Sequence, residues 1–107
     1  MNKRRIVVTG MGAVTPLGNT VQESWAAIRN KESGIDKISL FDASNYPVQI
    51  AAEVKNFLPE EHGIESREAR RMARFTQFLL SASYEAIRDA GLSKETLEAE
   101  RTGIMVG

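Results

Sequence analysis

Four arginines carry the clearest chemistry in this chain. Arg67, Arg70, Arg71 and Arg74 fall at i, i+3, i+4 and i+7, the spacing that sets side chains on one face of a helix. Guanidinium groups gathered this way recognise carboxylates or phosphates through charge-assisted, often bidentate hydrogen bonds. On the first two turns of a helix the placement is costly. A cation there opposes the macrodipole by roughly 0.3–1 kcal/mol, and like charges four residues apart repel by a few tenths more. Two readings are open: a salt-bridge lattice with Glu60, Glu61, Glu65 and Glu68, or a docking face for an anionic partner.

Other candidates are weaker. His62 is the only histidine, and the chain has no cysteine, so the usual thiol–imidazole pairing is excluded. It reads as a solvated loop residue. Glu60 and Glu61 beside it form no convergent ligand set, so no metal and no cofactor are expected. Gly10-x-Gly12 after an apolar run invites a dinucleotide-binding reading, but Thr15 stands where the third glycine belongs. The helix cap at Thr20 also comes too late to aim a helix N-terminus at a phosphate on those glycines. A phosphate-binding P-loop is absent outright. The glycines are assigned instead to a tight connection that uses their positive φ.

The elements that would position these residues follow from patterning. Ile6-Val7-Val8 predicts a strand buried on both faces of a parallel sheet, and residues 10–19, with three glycines and a proline, a turning loop. Thr20 with Glu23 predicts a capping box opening a helix whose apolar face is Val21, Trp25 and Ile28, ending before Gly34. Between Ile35 and Glu65 the pattern is irregular, with an edge strand possible over residues 50–54. Ser66 caps a long helix that stops at Gly91, roughly 36 Å at about 1.5 Å per residue. From Phe75 to Tyr84 it carries no charge, which predicts cover on nearly every side. A short helical turn over residues 93–101 and a second apolar strand from Thr102 complete the chain.

Of the 107 residues, 42% are hydrophobic and 26% charged, with fourteen basic against fourteen acidic side chains. That is the composition of a globular domain, and the zero net charge argues against a nucleic-acid or membrane-surface binder. The apolar run after the N-terminal Met1-Asn2-Lys3-Arg4-Arg5 is too short for a signal peptide or a span, so a cytoplasmic location is expected. A parallel sheet needs partners and cover on both faces, and two short strands supply neither. The chain is therefore expected to be an incomplete piece of a larger α/β unit.

The stretch from Arg4 to Asn19 resembles the opening of bacterial β-ketoacyl-acyl-carrier-protein synthases of the elongating type II. The likeness continues through Ser33-Gly34-Ile35, through Glu68-Ala69-Arg70-Arg71-Met72-Ala73-Arg74-Phe75, and through Arg101-Thr102-Gly103-Ile104-Met105-Val106-Gly107. The resemblance implies a thiolase-like layered αβαβα fold, incomplete here, with residues 1–107 forming the N-terminal portion of its first half. It implies a decarboxylating acyltransferase that condenses an enzyme-bound acyl group with malonyl-acyl carrier protein, working as a homodimer. The family's catalytic cysteine and histidines have no counterpart in this chain, so the piece alone is expected to be inactive. What the resemblance transfers is carrier-protein docking, to Arg67, Arg70 and Arg71, and less directly to Arg74. A non-catalytic binding module and a chain-length-factor-like partner subunit are the alternatives.

Overall fold

The computed structural model describes residues 3–97 and 99–107. In chain order they form helix α1 (Val21–Arg29), strands β1 (Ile35–Lys37) and β2 (Ile50–Ala52), a 3-10 turn (Pro59–His62), helices α2 (Ser66–Ala69) and α3 (Arg74–Asp89), and a second 3-10 turn (Ala99–Arg101). β1 and β2 pair antiparallel, with Ile35 opposite Ala52, Asp36 opposite Ala51 and Lys37 opposite Ile50. The expected edge strand at residues 50–54 is thus present in its first three residues. Its partner at Ile35–Lys37 was not evident in the irregular sequence there.

The scaffold that matters most is the seat of the glycine-rich loop on α3. Extended residues advance about 3.3 Å each and helical residues about 1.5 Å, so two loop residues match four helical ones. The contacts follow that ratio. Met11 N–H donates to Asp89 Oδ2 at 3.0 Å and Ala13 N–H to Glu85 Oε2 at 2.9 Å. Between them Gly12 lies on Ala82, and Gly10 on Ala86 and Ala90. Neither glycine has positive φ; that conformation belongs to Gly63 and Gly91. The first glycines are therefore needed for close approach of two backbones, which corrects the expectation of a φ-driven turn.

The other carboxylate oxygen of Glu85 reaches α1, where it accepts from Val21 N–H at 2.9 Å. Thr20 Oγ1 accepts from Glu23 N–H at 3.1 Å, as the cap pattern predicts. Glu23 returns its carboxylate to Asn19 N–H, one residue before the capping-box position, at 2.7 Å. Between loop and helix, Thr15 and Gly18 exchange backbone hydrogen bonds across a tight turn with Pro16 and Leu17 at its centre. A dinucleotide phosphate has no place here, because a side-chain carboxylate already occupies the first amide of α1. Replacing Glu85 with Gln leaves one acceptor for two buried-side donors and is expected to cost roughly 1–3 kcal/mol. Hydrogen exchange at Ala13 and Val21 would report it as lost protection at one or both amides.

Four expectations are corrected. Residues 6–8 and 104–106 belong to no sheet, and Ile6, Val8, Ile104 and Met105 are more than four-fifths exposed. An extended segment forms a strand only when a neighbour accepts its backbone groups, and no partner lies alongside among the described residues. The buried side of α1 is Ser24 and Ala27, not Trp25 and Ile28, because Gly18 packs against the helix there. The uncharged part of α3 buries Gln77 and Ser81 but leaves Phe75, Leu79 and Tyr84 exposed. The single long helix is also broken, at residues 70–73.

Burial is correspondingly thin. Among the described residues Ala27, Ala43, Phe57, Ile64 and Ala69 are the buried hydrophobic ones, and the radius of gyration is 17.3 Å. A compact domain of this length has about 13 Å. The short turn expected over residues 93–101 appears in part as Ala99–Arg101, while Glu98 lies outside the described residues. No helix among the described residues is long and apolar enough to cross a membrane.

Candidate functional site

The arginine cluster lies at the break between α2 and α3. The chain enters it from the 3-10 turn at Pro59–His62, which Gly63 closes in the left-handed region with φ of 81°. Ile64, 2% exposed, then anchors the chain before α2 begins. The N-cap of α2 is Glu65, with no side-chain cap bond; Ser66, the expected cap, is the first helical residue, and its hydroxyl bonds the Glu60 carboxylate instead. After Ala69 the backbone tightens: Arg71 N–H donates to Glu68 O and Met72 N–H to Ala69 O, three residues back rather than four. Ala73, with ψ of 153°, is extended and starts α3 afresh.

This break redistributes the four arginines. Arg67 belongs to α2, Arg70 and Arg71 to its C-terminal turn, and Arg74 to the first position of α3, so they do not form one i, i+3, i+4, i+7 stripe. Arg67, Arg70 and Arg71 are exposed. Arg70 Nε donates to Ser66 O at 3.2 Å, leaving the far side of its guanidinium to solvent. Among the described residues no ion pair joins these arginines to Glu60, Glu61, Glu65 or Glu68, so the salt-bridge lattice does not form.

Arg74 is engaged differently. Its Nη1 donates to Gln77 Oε1 at 3.1 Å and its Nη2 to Phe57 O at 3.2 Å. The guanidinium carbon lies 4.9 Å from the Phe57 ring centre and 5.1 Å from that of Phe78. Phe57 meets Phe78 edge-on at 5.0 Å and stacks on His62 at 4.9 Å with 8° between planes. His62 is therefore a ring of this cluster, partly buried, and not the solvated loop residue its polar neighbours suggested. Gln77 and Phe57 were not singled out by sequence reasoning. The available signal was Gln77 itself, an amide inside an otherwise uncharged helical run.

The hydroxyl of Ser66, the backbone and the nearby Arg70 charge hold the Glu60 carboxyl below the ordinary glutamate range. Because its folded pKa is depressed, its contribution to stability is present at neutral pH and is lost as pH falls through that value. Ser66→Ala is expected to move the Glu60 titration midpoint upward, as followed by NMR of its side-chain carboxyl. An unmoved midpoint would remove Ser66 as the cause.

The chemistry available here is recognition. There is no cysteine, and among the described residues no group of side chains could hold a metal ion. Three guanidinium groups on a short helix and the turn after it can bind carboxylates or phosphates.

A family model described as beta-ketoacyl synthase, N-terminal domain, matches residues 3–107. Over 104 residues, 97% of this chain, the sequence is 45% identical to 3-oxoacyl-acyl-carrier-protein synthase 2 of Staphylococcus aureus (strain COL), and it covers 25% of that protein. It is 41% identical over 107 residues to the protein of the same name from Synechocystis sp., covering 26% of it. Among solved structures, the ishigamide ketosynthase/chain length factor matches 90% of this chain with a TM-score of 0.79 and 33% identity, over 24% of its own length. The chain thus spans about a quarter of the length of these relatives. Since the match runs through the glycine loop, its seat on α3 and the arginine-bearing break, the chain belongs to the β-ketoacyl synthase family and lies within its N-terminal domain.

Proposed function

We propose that this chain is the N-terminal portion of a β-ketoacyl-acyl-carrier-protein synthase, which condenses an enzyme-bound acyl group with malonyl-acyl carrier protein in fatty acid elongation. Residues 1–107 then belong to the first half of a layered thiolase-like fold in a cytoplasmic homodimer. They contribute scaffold and a docking face, while nucleophile and general acid–base groups come from elsewhere in the enzyme. No cofactor is needed for this chemistry.

The observation that carries the docking role is the trio Arg67, Arg70 and Arg71, exposed and forming no close ion pair among the described residues, with only the field of Arg70 felt by Glu60. Exposed arginines steer and orient an acidic partner, and the curated relatives bear acyl-carrier-protein in their names. The same exposure would serve a partner subunit without activity of its own. The likeness to a ketosynthase/chain length factor keeps that reading in view.

The deciding experiment gives the full-length gene product acyl- and malonyl-acyl carrier protein and follows 3-oxoacyl product and carbon dioxide by mass spectrometry. Condensation with release of one carbon dioxide per product is expected. Binding of the carrier without product would favour the partner-subunit reading, and neither binding nor product would end the proposal.

A further inference from the structure

Resting on the docking reading of Arg67, Arg70 and Arg71, we infer that Arg74 is a positioning residue for that face and not one of its contacts. Arg74 stands at the centre of a relay. It donates to Phe57 O on one side and to Gln77 Oε1 on the other, and Gln77 Nε2 in turn donates to Ala69 O at 2.9 Å and to Met72 O at 3.5 Å. Ala69 is the last residue of α2, and its carbonyl, which accepts the tight bond from Met72 N–H, lacks the partner four residues on that a continuing helix would give it. Gln77, 8% exposed, supplies that partner from α3, and Arg74 fixes the face the amide presents.

The relay holds α2 off the axis of α3. Residues 66–89 are helix-compatible throughout, and the break at residues 70–73 is maintained by contacts from outside the helix backbone. Arg70 and Arg71 project from the segment that this relay orients. The Arg74 guanidinium carbon lies about 5 Å from both ring centres, 4.9 Å from Phe57 and 5.1 Å from Phe78, and two of its donors are spent on protein acceptors, although the residue as a whole is exposed. A planar fork that donates to two fixed acceptors while lying beside two rings is a role that lysine cannot fill, although lysine keeps the charge.

That difference supplies the test. In the full-length gene product, affinity for apo acyl carrier protein is measured by calorimetry at two ionic strengths, beside the melting temperature. Arg74→Lys, which preserves charge, and Phe57→Leu, which changes none, are each expected to weaken binding about three- to tenfold, with the salt dependence unchanged, because the trio is misaimed while its charge is intact. Parent-like binding by Arg74→Lys together with weaker, less salt-sensitive binding by Arg74→Gln would make Arg74 a direct contact and overturn the inference. A lowered melting temperature with unchanged affinity in both variants would overturn it too, leaving Arg74 a stability residue alone. Reversal of Arg70 and Arg71 to Glu is run alongside. Parent-like affinity there removes the docking reading itself, whereas failure of the Arg74 variants alone leaves it standing.

Discussion

Gly12→Ala is expected to destabilise the full-length gene product by more than about 3 kcal/mol, the range reached when an added group meets fixed backbone in a packed contact. The added methyl carbon would lie 1.8 Å from the carbonyl oxygen of Ala82, 2.7 Å from its carbonyl carbon and 2.9 Å from the amide nitrogen of Ala86. None of these is the end of a flexible side chain. To make room, the loop must lift off α3, and the bonds from Met11 to Asp89 and from Ala13 to Glu85 stretch with it. Differential scanning fluorimetry measures the effect directly. A melting temperature within a degree of the parent would mean that the loop and helix do not approach as closely as described.

The second large effect concerns binding. Reversing Arg70 and Arg71 to Glu replaces two exposed cations with two anions, and an acidic partner would then meet repulsion where it met attraction. A loss of about tenfold or more in affinity for acyl carrier protein is expected at low salt, carried mostly by slower association. The salt dependence should flatten, because the attraction that salt screens has been removed. Stopped-flow association at two salt concentrations checks both points. Equal rates for parent and variant at low salt would end the docking proposal.

How much of this was legible in the sequence differs by element, for physical reasons. The start of α1 was readable because its cap is local: Thr20 takes the Glu23 amide three residues on, and the Glu23 carboxylate returns to the Asn19 amide. The arginines were readable as a cluster, since composition over a short window is visible without a fold. Their arrangement was not. The interruption of the helix at residues 70–73 depends on Gln77 and on Phe57, the latter 17 residues from Arg74, and helical periodicity carries no trace of such distant contacts.

The glycine loop failed in a more instructive way. Glycine is most often read as a source of positive φ, and Gly10 and Gly12 have none. Their counterpart was in plain sight as Ala82 and Ala86 in α3 and Ala90 at its C-cap, small residues four apart. Small residues at spacing two in an extended segment facing small residues at spacing four in a helix form one pattern, but only once the two segments are known to be neighbours. The sheet expectation fails for a related reason. Strand character in residues 6–8 is a statement about a partner's backbone, and the described residues place none beside it.

The double acceptance by Glu85 has a consequence for the order of events on the ribosome. Val21 and the carboxylate that takes its amide are separated by 64 residues. At about 5–20 residues per second, several seconds pass between synthesis of α1 and arrival of its acceptor. α1 therefore waits for the acceptor of its first amide, and until Glu85 emerges that N–H has no carboxylate partner from α3.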